Sequence, residues 1–138
     1  VKKDARPILG RGVLWENRTQ KEGAFMQDCL FCKMAAGDIP VSKVYEDDTV
    51  LAFHDIDPQA PVHFLVIPKT HIASPGGITP ENSAVVAHIF EVIARLAEDL
   101  ELGNGYRVVT NCGRDGGQSV PHLHFHVLAK RSLAWPPG

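Results

Sequence analysis

Apolar and polar residues alternate strictly near the end of the chain, in the run HLHFHVL at positions 122–128. This period of two predicts a β-strand, because successive side chains of a strand point to opposite faces of its sheet. We extend that strand over residues 120–128. One face would carry three imidazoles at intervals of roughly 6–7 Å, those of His122, His124 and His126. The other face would be buried and would carry Leu123, Phe125 and Val127.

Shorter apolar runs bounded by turn residues predict the other strands. They cover residues 41–45, 49–54, 62–67 and 106–110. The acidic turn at 46–48 separates the first two runs, and links of hairpin length favour antiparallel pairing. A short helix over residues 29–36, followed by Gly37 as a stop, is predicted before them.

Residues 79–102 carry the clearest helical signal. Thr79 is a candidate cap, Pro80 suits the first helical position and Gly103 suits the stop. The apolar residues of the segment recur with helical period: Val85, Val86, Ile89, Val92, Ile93, Leu96 and Leu100. One long helix with five strands in hairpin-like order predicts an antiparallel α+β domain.

Length, charge and cysteine content limit the classes of function. At 138 residues the chain suits one hydrophobic core. No apolar run approaches the roughly 20 residues of a membrane span, so we expect no membrane partner. A formal net charge of −2 gives no reason to expect nucleic-acid binding, which needs a basic patch. Three cysteines are too few for the disulfide framework of a secreted protein. This low number favours a reducing compartment, the cytoplasm.

The first 27 residues differ in composition from the rest. They carry six basic residues against three acidic ones and lack the apolar stretch of a signal peptide. Periodic apolar patterning begins at residue 28. We therefore expect a mobile N-terminal arm over residues 1–27 and one folded domain over residues 28–138.

The histidine strand is the candidate reaction centre, because imidazole attacks, donates protons and binds metals near neutral pH. Residues 113–119, directly before it, are rich in glycine and would let backbone N–H groups converge on an anion. Tight turns use such glycines too, but the neighbouring histidines favour a phosphate-binding loop. Three positions on one face of a strand span about 13 Å, too far for one metal ion. A catalytic metal site and a row of solvated imidazoles remain the alternatives.

Several motifs together resemble the Hint branch of the histidine triad (HIT) superfamily. The run at 122–128 matches the signature in which apolar residues separate three histidines. Further similar segments lie at 51–56, 58–61, 63–69, 116–120 and 135–138, whereas Ala129-Lys130 departs from the glycines usual there. The resemblance covers residues 28–138. It implies the HIT fold, a five-stranded antiparallel sheet with one long helix and a short N-terminal helix, joined across a homodimer.

The resemblance also implies a nucleoside phosphoramidase, which hydrolyses a purine nucleotide joined through its α-phosphate to an amine. His124 would attack phosphorus and form a nucleotidyl-histidine intermediate that water cleaves, with no cofactor required for catalysis. His126 would hold the phosphate oxygens, and His122 would support the site. Ser119 would assist the leaving amine. His63, by sequence alone a core histidine, would orient the triad.

The same match implies a site for AMP or GMP conjugates. Asp55 would accept hydrogen bonds from the ribose hydroxyls. Residues that are otherwise ordinary core would form an apolar slot for the base: Leu30, Phe31, Phe53, Ile56 and Leu65. Three residues would lie along the phosphate: Asn111, Gly117 and Gln118.

The Cys29-x-x-Cys32 pair resembles bacterial-type members of the superfamily, in which two cysteines and two histidines bind a structural zinc ion. The matching residues here are Cys29, Cys32, His71 and His122. Buried thiols without a metal remain the alternative. A second functional class also stays open: a nucleotide-binding regulatory or adaptor module with incidental hydrolase activity, which recruits a partner protein through the arm or the dimer surface.

Overall fold

The computed structural model describes residues 28–138, so the predicted arm over residues 1–27 lies outside the described residues. The strands are β1 (Lys43–Glu46), β2 (Val50–His54), β3 (Val62–Pro68), β4 (Tyr106–Val109) and β5 (Phe125–Ala129). The α-helices are α1 (Leu30–Ala35) and α2 (Ser83–Asp99), and Pro75–Gly77 forms one turn of 3₁₀ helix. No helix in this described part of the chain is long and apolar enough to cross a membrane.

The five strands form one sheet in the order β1-β2-β3-β5-β4, and every neighbouring pair is antiparallel. This confirms the predicted α+β fold. In the centre of the sheet, Leu65 lies opposite His126 and His63 lies opposite Leu128. Residues directly opposite each other share a face, so His63 and His126 project from the same face of the sheet.

Each face of the sheet is covered by a different helix. On one face, the apolar stripe of α2 packs against β2, β3 and β5 in a core that includes Ile89, Val92, Ile93, Leu96, Phe64 and Val66. On the other face, α1 packs in a second apolar cluster that includes Phe31, Cys32, Leu51, Phe53, Leu65 and Ile67. The second face, between α1 and the sheet, is therefore the one that receives the histidines of β3 and β5.

The long helix α2 is shorter than predicted at both ends. Thr79 Oγ1 accepts a hydrogen bond from the Glu81 backbone N–H at 3.1 Å, and residues 79–82 form a turn before the helix begins. The side chain thus favours a local turn over a direct helix start. At the other end Glu101 adopts a left-handed φ of 58°, which ends the helical region ahead of Gly103.

The predicted histidine strand also starts later than expected. β5 begins at Phe125, so His122 and His124 precede it. Here the backbone pairs outside the sheet, because the Leu123 N–H donates to the Ile72 carbonyl, in the segment after β3, at 2.6 Å. The predicted apolar face is nevertheless confirmed, since its three residues belong to the core beneath α2: Leu123, Phe125 and Val127.

Candidate active site

Four buried side chains from three segments converge beside the start of α1. Cys29 and Cys32 lie at that start, His71 follows β3 and His122 precedes β5. His122 Nδ1 lies 3.2 Å from Cys29 Sγ, 3.6 Å from Cys32 Sγ and 3.2 Å from His71 Nδ1. His71 Nδ1 lies 3.3 Å from Cys32 Sγ. The structure thus brings together the four residues predicted as metal ligands, and each is between 0% and 6% exposed.

These separations match the edges of a tetrahedral zinc site. Zinc bonds of about 2.3 Å to sulfur and about 2.0–2.1 Å to nitrogen place two nitrogen ligands about 3.4 Å apart and a nitrogen and a sulfur about 3.6 Å apart. The nitrogen–nitrogen distance in the cluster is 3.2 Å, and its nitrogen–sulfur distances run from 3.2 to 3.6 Å. Two thiolates with two imidazoles are also a donor set that structural zinc uses. The residues therefore fit zinc.

A hydrogen bond determines which nitrogen of His122 carries the proton and which one offers a lone pair to this cluster. His122 Nε2 lies 2.8 Å from the carbonyl oxygen of Pro68, which only accepts, so Nε2 carries the proton. The lone pair is then on Nδ1, beside the two sulfurs. Metal-bound histidines commonly donate their other N–H to a carbonyl in this way. Burial lowers the pKa of His122 to about 4 and lowers the pKa of His71, which keeps both rings neutral, as ligation requires.

His124 is held by the backbone of His122. Its Nδ1 donates to the His122 carbonyl oxygen at 2.7 Å, because a carbonyl can only accept. An imidazole with its proton on Nδ1 carries its lone pair on Nε2. The ring is 2% exposed and packs edge-on against Phe31, with centroids 5.2 Å apart and planes at 84°. Packing and the hydrogen bond together fix the orientation of a ring whose Nε2 can act as a nucleophile.

His126 has the opposite tautomer to His124, with its proton on Nε2 and not on Nδ1. The Gln59 backbone N–H donates to His63 Nδ1 at 3.0 Å, so the proton of His63 is on Nε2. This Nε2 lies 2.9 Å from His126 Nδ1 and donates to it. The remaining proton of His126 is therefore on its Nε2. The rings of His124 and His126 are adjacent, with centroids 5.1 Å apart. Their Nε2 atoms differ in protonation: His124 Nε2 has a lone pair, whereas His126 Nε2 has a proton to donate.

Asp55 lies beside the pair of His63 and His126. Its Oδ2 is 3.4 Å from His63 Nε2 and 4.0 Å from His126 Nδ1, while its Oδ1 accepts a hydrogen bond from the Asp57 N–H at 2.8 Å. Burial lowers the pKa of His63 and lowers that of His126 to about 4, although the charge of Asp55 acts in the opposite direction. Both rings are therefore neutral near neutral pH, in agreement with the assigned tautomers.

Asp55, His63 and His126 also lie close enough together to share an ion. The hydrogen bonds oppose this use. An ion here would need the lone pair of His63 Nε2, which places the proton on Nδ1, against the N–H of Gln59. Within the described residues, the cysteine and histidine set is therefore the better metal site.

The glycine-rich loop before β5 is ordered by its own hydrogen bonds. Gln118 Nε2 donates to the carbonyls of Ala73 and Val120 at 2.7 and 2.9 Å, and Gln118 Oε1 accepts from the Gly113 N–H at 3.0 Å. Both side-chain amide hydrogens of Gln118 are thus used within the protein. A phosphate contact from this amide stays a prediction, and it requires one of these bonds to change partner. Ser119 is exposed.

Two glycines of this loop are required by its geometry. A Cβ at Gly116 would lie 2.6 Å from the Cys112 carbonyl oxygen, a distance that side chains do not adopt. Gly117 has a φ of 78°, which only glycine adopts readily. Asn111, the other residue predicted along the phosphate, is partly buried at the start of the loop.

The predicted base-binding residues separate into two groups. Phe31, Phe53 and Leu65 are buried in the apolar cluster beside the histidines, and the two phenylalanine rings meet edge-on with centroids 5.6 Å apart. Leu30 is 43% exposed and Ile56 is 97% exposed. The structure therefore brings three of the five together and leaves two at the surface. Contact of any of the five with a base stays a prediction.

Sequence reasoning missed two groups that order the histidines, the carbonyl of Pro68 and the N–H of Gln59. Both are backbone groups, so residue type gives no signal for their role. The available signal was their position, since Gln59 and Pro68 lie within the segments 58–61 and 63–69 that carry the resemblance.

Comparison with known proteins identifies the family of the chain. Residues 36–133 match the HIT domain. An uncharacterized HIT-like protein of Synechococcus elongatus is 50% identical over 112 residues, which are 81% of this chain and 98% of that protein. The crystal structure of a HIT family hydrolase from Legionella pneumophila is 48% identical, with a TM-score of 0.78 over 80% of this chain and 99% of that chain. A histidine triad nucleotide-binding protein from Candida albicans is 35% identical, with a TM-score of 0.69 over 78% of this chain and 82% of that chain. The chain therefore belongs to the HIT, or histidine triad, family.

Proposed function

We propose that this protein hydrolyses the P–N bond of purine nucleoside phosphoramidates through a nucleotidyl-histidine intermediate on His124. The observation that carries the proposal is the hydrogen bond from His124 Nδ1 to the His122 carbonyl, because it leaves the Nε2 lone pair for attack. Beside it, the Nε2–H of His126 supplies a donor for a phosphate oxygen. Two of the relatives are described as a hydrolase and as a nucleotide-binding protein, which supports the same class of reaction.

The reaction would consist of two displacements at phosphorus. His124 Nε2 bonds to the α-phosphorus while the P–N bond breaks, and the departing nitrogen takes up a proton that reaches it from solvent through the Ser119 hydroxyl and leaves as the amine. Water then attacks phosphorus and returns a proton to solvent, the bond between phosphorus and His124 Nε2 breaks, and the nucleoside monophosphate is released. In both steps His126 stabilises the charge on the phosphate oxygens, and His63 holds His126 in its donor tautomer.

The nucleotide would lie against the same face of the sheet. Asp55 would bind the ribose hydroxyls through Oδ2, because its Oδ1 is already bonded to the Asp57 N–H. The base would pack against Phe31, Phe53 and Leu65, with Leu30 and Ile56 at the rim. The phosphate would lie beside Asn111, Gly117 and Gln118.

Trapping the covalent intermediate tests this mechanism. We expect rapid quenching with adenosine 5′-phosphoramidate, followed by digestion and mass spectrometry, to find adenylate on His124. The change His124→Ala should abolish the adduct and the turnover. The change His126→Ala should keep the nucleophile and lower kcat by about 10²–10³-fold, the usual loss for one donor to a developing oxyanion.

His54→Ala is the matched control, because His54 is an exposed histidine at the end of β2. It should leave the adduct and kcat unchanged. Adenylate on His126, or normal turnover by the His124→Ala protein, would refute the assigned nucleophile. Binding of AMP by the unaltered protein without any turnover would favour the nucleotide-binding adaptor instead.

We also propose that Cys29, Cys32, His71 and His122 hold a structural zinc ion, which would cross-link α1 to the segments that follow β3 and precede β5. The tetrahedral distances and the lone pair of His122 Nδ1, which faces the two sulfurs, support this. Thiolate ligands suit a reducing compartment, and we place the protein in the cytoplasm. Metal analysis should find about one zinc ion per chain. Protein purified without chelators and free of zinc would contradict the proposal.

We propose further that residues 28–138 form one HIT domain, which pairs with a second copy along β4. This strand is at an edge of the sheet, where its outer backbone N–H and C=O groups can pair with another strand. Tyr106, on β4, is 41% exposed. Sedimentation equilibrium should give twice the mass of one chain, and Tyr106→Glu should shift it toward the monomer. A monomer at all concentrations would contradict this proposal.

A further inference from the structure

Arg131, in the C-terminal tail, reaches the turn between β2 and β3. Its Nε donates to the carbonyl of Gln59 at 2.9 Å, and its Nη1 donates to the carbonyl of Ser132 at 3.1 Å. Two hydrogen bonds fix the direction of a planar guanidinium. The contact therefore ties the tail to a turn that is 72 positions away in the sequence.

Both backbone polar groups of Gln59, its carbonyl and its N–H, make hydrogen bonds to side chains. Its carbonyl accepts from Arg131, and its N–H donates to His63 Nδ1 at 3.0 Å. The residues around it, 56–59, are exposed. Ala60, which follows, is buried, but residues 56–59 themselves have little packing, so hydrogen bonds largely determine where the Gln59 N–H points. Besides the bond from Arg131, Gln59 Nε2 donates to the Asp57 carbonyl at 2.9 Å and the Asp57 N–H donates to Asp55 Oδ1 at 2.8 Å.

The direction of that N–H determines the chemistry of His126. While it points at His63 Nδ1, the His63 proton is on Nε2 and is donated to His126 Nδ1, which leaves His126 Nε2 as a donor. If the N–H turns away, His63 can take the other tautomer and accept at Nε2. His126 must then donate from Nδ1, and its Nε2 would carry a lone pair, which repels a phosphate oxygen.

We propose that Arg131 is a positioning residue that acts through Gln59 to keep His126 in its donor tautomer. Its effect on turnover rests on the proposed function, whereas its effect on the two imidazoles does not. The competing explanation is that Arg131 only anchors the tail. Arg107 separates the two explanations, because its Nη2 also donates to a tail carbonyl, that of Ala134 at 2.9 Å, without contacting Gln59.

The direct test is the ¹⁵N spectrum of the imidazoles in the full chain, which reports the protonated nitrogen of each ring. In the unaltered protein His63 should be protonated at Nε2 and His126 at Nε2. Arg131→Met should move both rings toward the other tautomer. Arg107→Met should leave both rings as they are. If Arg131→Met leaves the tautomers unchanged, or if both changes shift them equally, the inference is overturned.

A second pair of variants acts on the turn itself. Gln59→Pro removes the backbone N–H, whereas Gln59→Ala keeps it. Gln59→Ala does remove the side-chain hydrogen bond from Gln59 Nε2 to the Asp57 carbonyl. The proline variant should therefore shift the His63 tautomer more than the alanine variant, and the reverse order would overturn the inference. With adenosine 5′-phosphoramidate, Arg131→Met should lower kcat about fivefold, the usual worth of one exposed hydrogen bond, with KM nearly unchanged. No turnover by the unaltered protein would contradict the proposed function, and the spectra would still decide the role of Arg131.

Discussion

Removing the zinc ion that we propose for the cluster of Cys29, Cys32, His71 and His122 should destabilise the described domain as a whole. The cluster joins three segments that are distant in the sequence, and all four side chains are between 0% and 6% exposed. Without an ion, these polar groups remain against one another beside an apolar cluster, where water cannot solvate them. The loss should therefore affect global unfolding and not a single loop.

The expected magnitude follows from binding linkage. A ligand that binds only the folded state stabilises it by about 2.7 kcal/mol when its free concentration is 100 times Kd. For a domain of this size, 1 kcal/mol corresponds to roughly 4 °C in Tm. Chelation should thus lower Tm by about 10 °C, and by more if zinc binds more tightly.

Scanning calorimetry with excess zinc and with a chelator measures this shift. His71→Ala removes one ligand and should give a low Tm that no longer responds to zinc. His54→Ala makes the same chemical change at an exposed position on β2, so it should keep the full zinc response. If metal analysis shows that chelation has removed the zinc and Tm has not changed, the cluster is not a structural zinc site.

Two further predictions concern stability away from the cluster. Asp47 Oδ2 lies 2.6 Å from His88 Nε2 and raises the pKa of His88. The pair therefore stabilises the fold fully below the ordinary histidine value of 6.5, and this contribution disappears as pH rises through the raised pKa. Because the pair is partly exposed, His88→Gln should cost about 0.5–1 kcal/mol in mildly acidic urea unfolding and nothing in alkali, and a constant difference across pH would contradict this. Gly116→Ala would place a Cβ 2.6 Å from the Cys112 carbonyl oxygen and should cost about 1–3 kcal/mol. Gly103→Ala meets nothing within 4 Å and should be nearly neutral, so equal losses from the two changes would exclude the close contact as the cause.

The order and type of the elements could be predicted because both follow from local periodicity. The β-rich runs placed four strands within two residues of their observed ends, and the run before Gly37 placed α1 equally closely. The apolar stripe of α2 located that helix but not its ends, and β5 begins five residues after its predicted start. The exceptions include the two ends of α2, which depend on local interactions and backbone conformation. Thr79 turns its hydroxyl to the Glu81 N–H and delays α2, and Glu101 closes the helix in a conformation unusual for its residue type. Hydrophobic patterning contains no information on this hydrogen bond or on this backbone conformation.

The site divides in the same way between what the sequence shows and what only the structure shows. The motif gave the positions of three histidines with identical spacing, and the resemblance gave them unequal roles. Their chemical difference comes from the partner that each ring meets: Nε2 of His122 donates to the Pro68 carbonyl, Nδ1 of His124 donates to the His122 carbonyl, and Nδ1 of His126 accepts from His63. Each partner forces one tautomer, so His122 presents a lone pair at Nδ1, His124 presents a lone pair at Nε2, and His126 presents a proton at Nε2. Two of these partners are backbone carbonyls, which residue types do not predict. The tautomers of His122 and His124 therefore depend on the path of the main chain beside each ring.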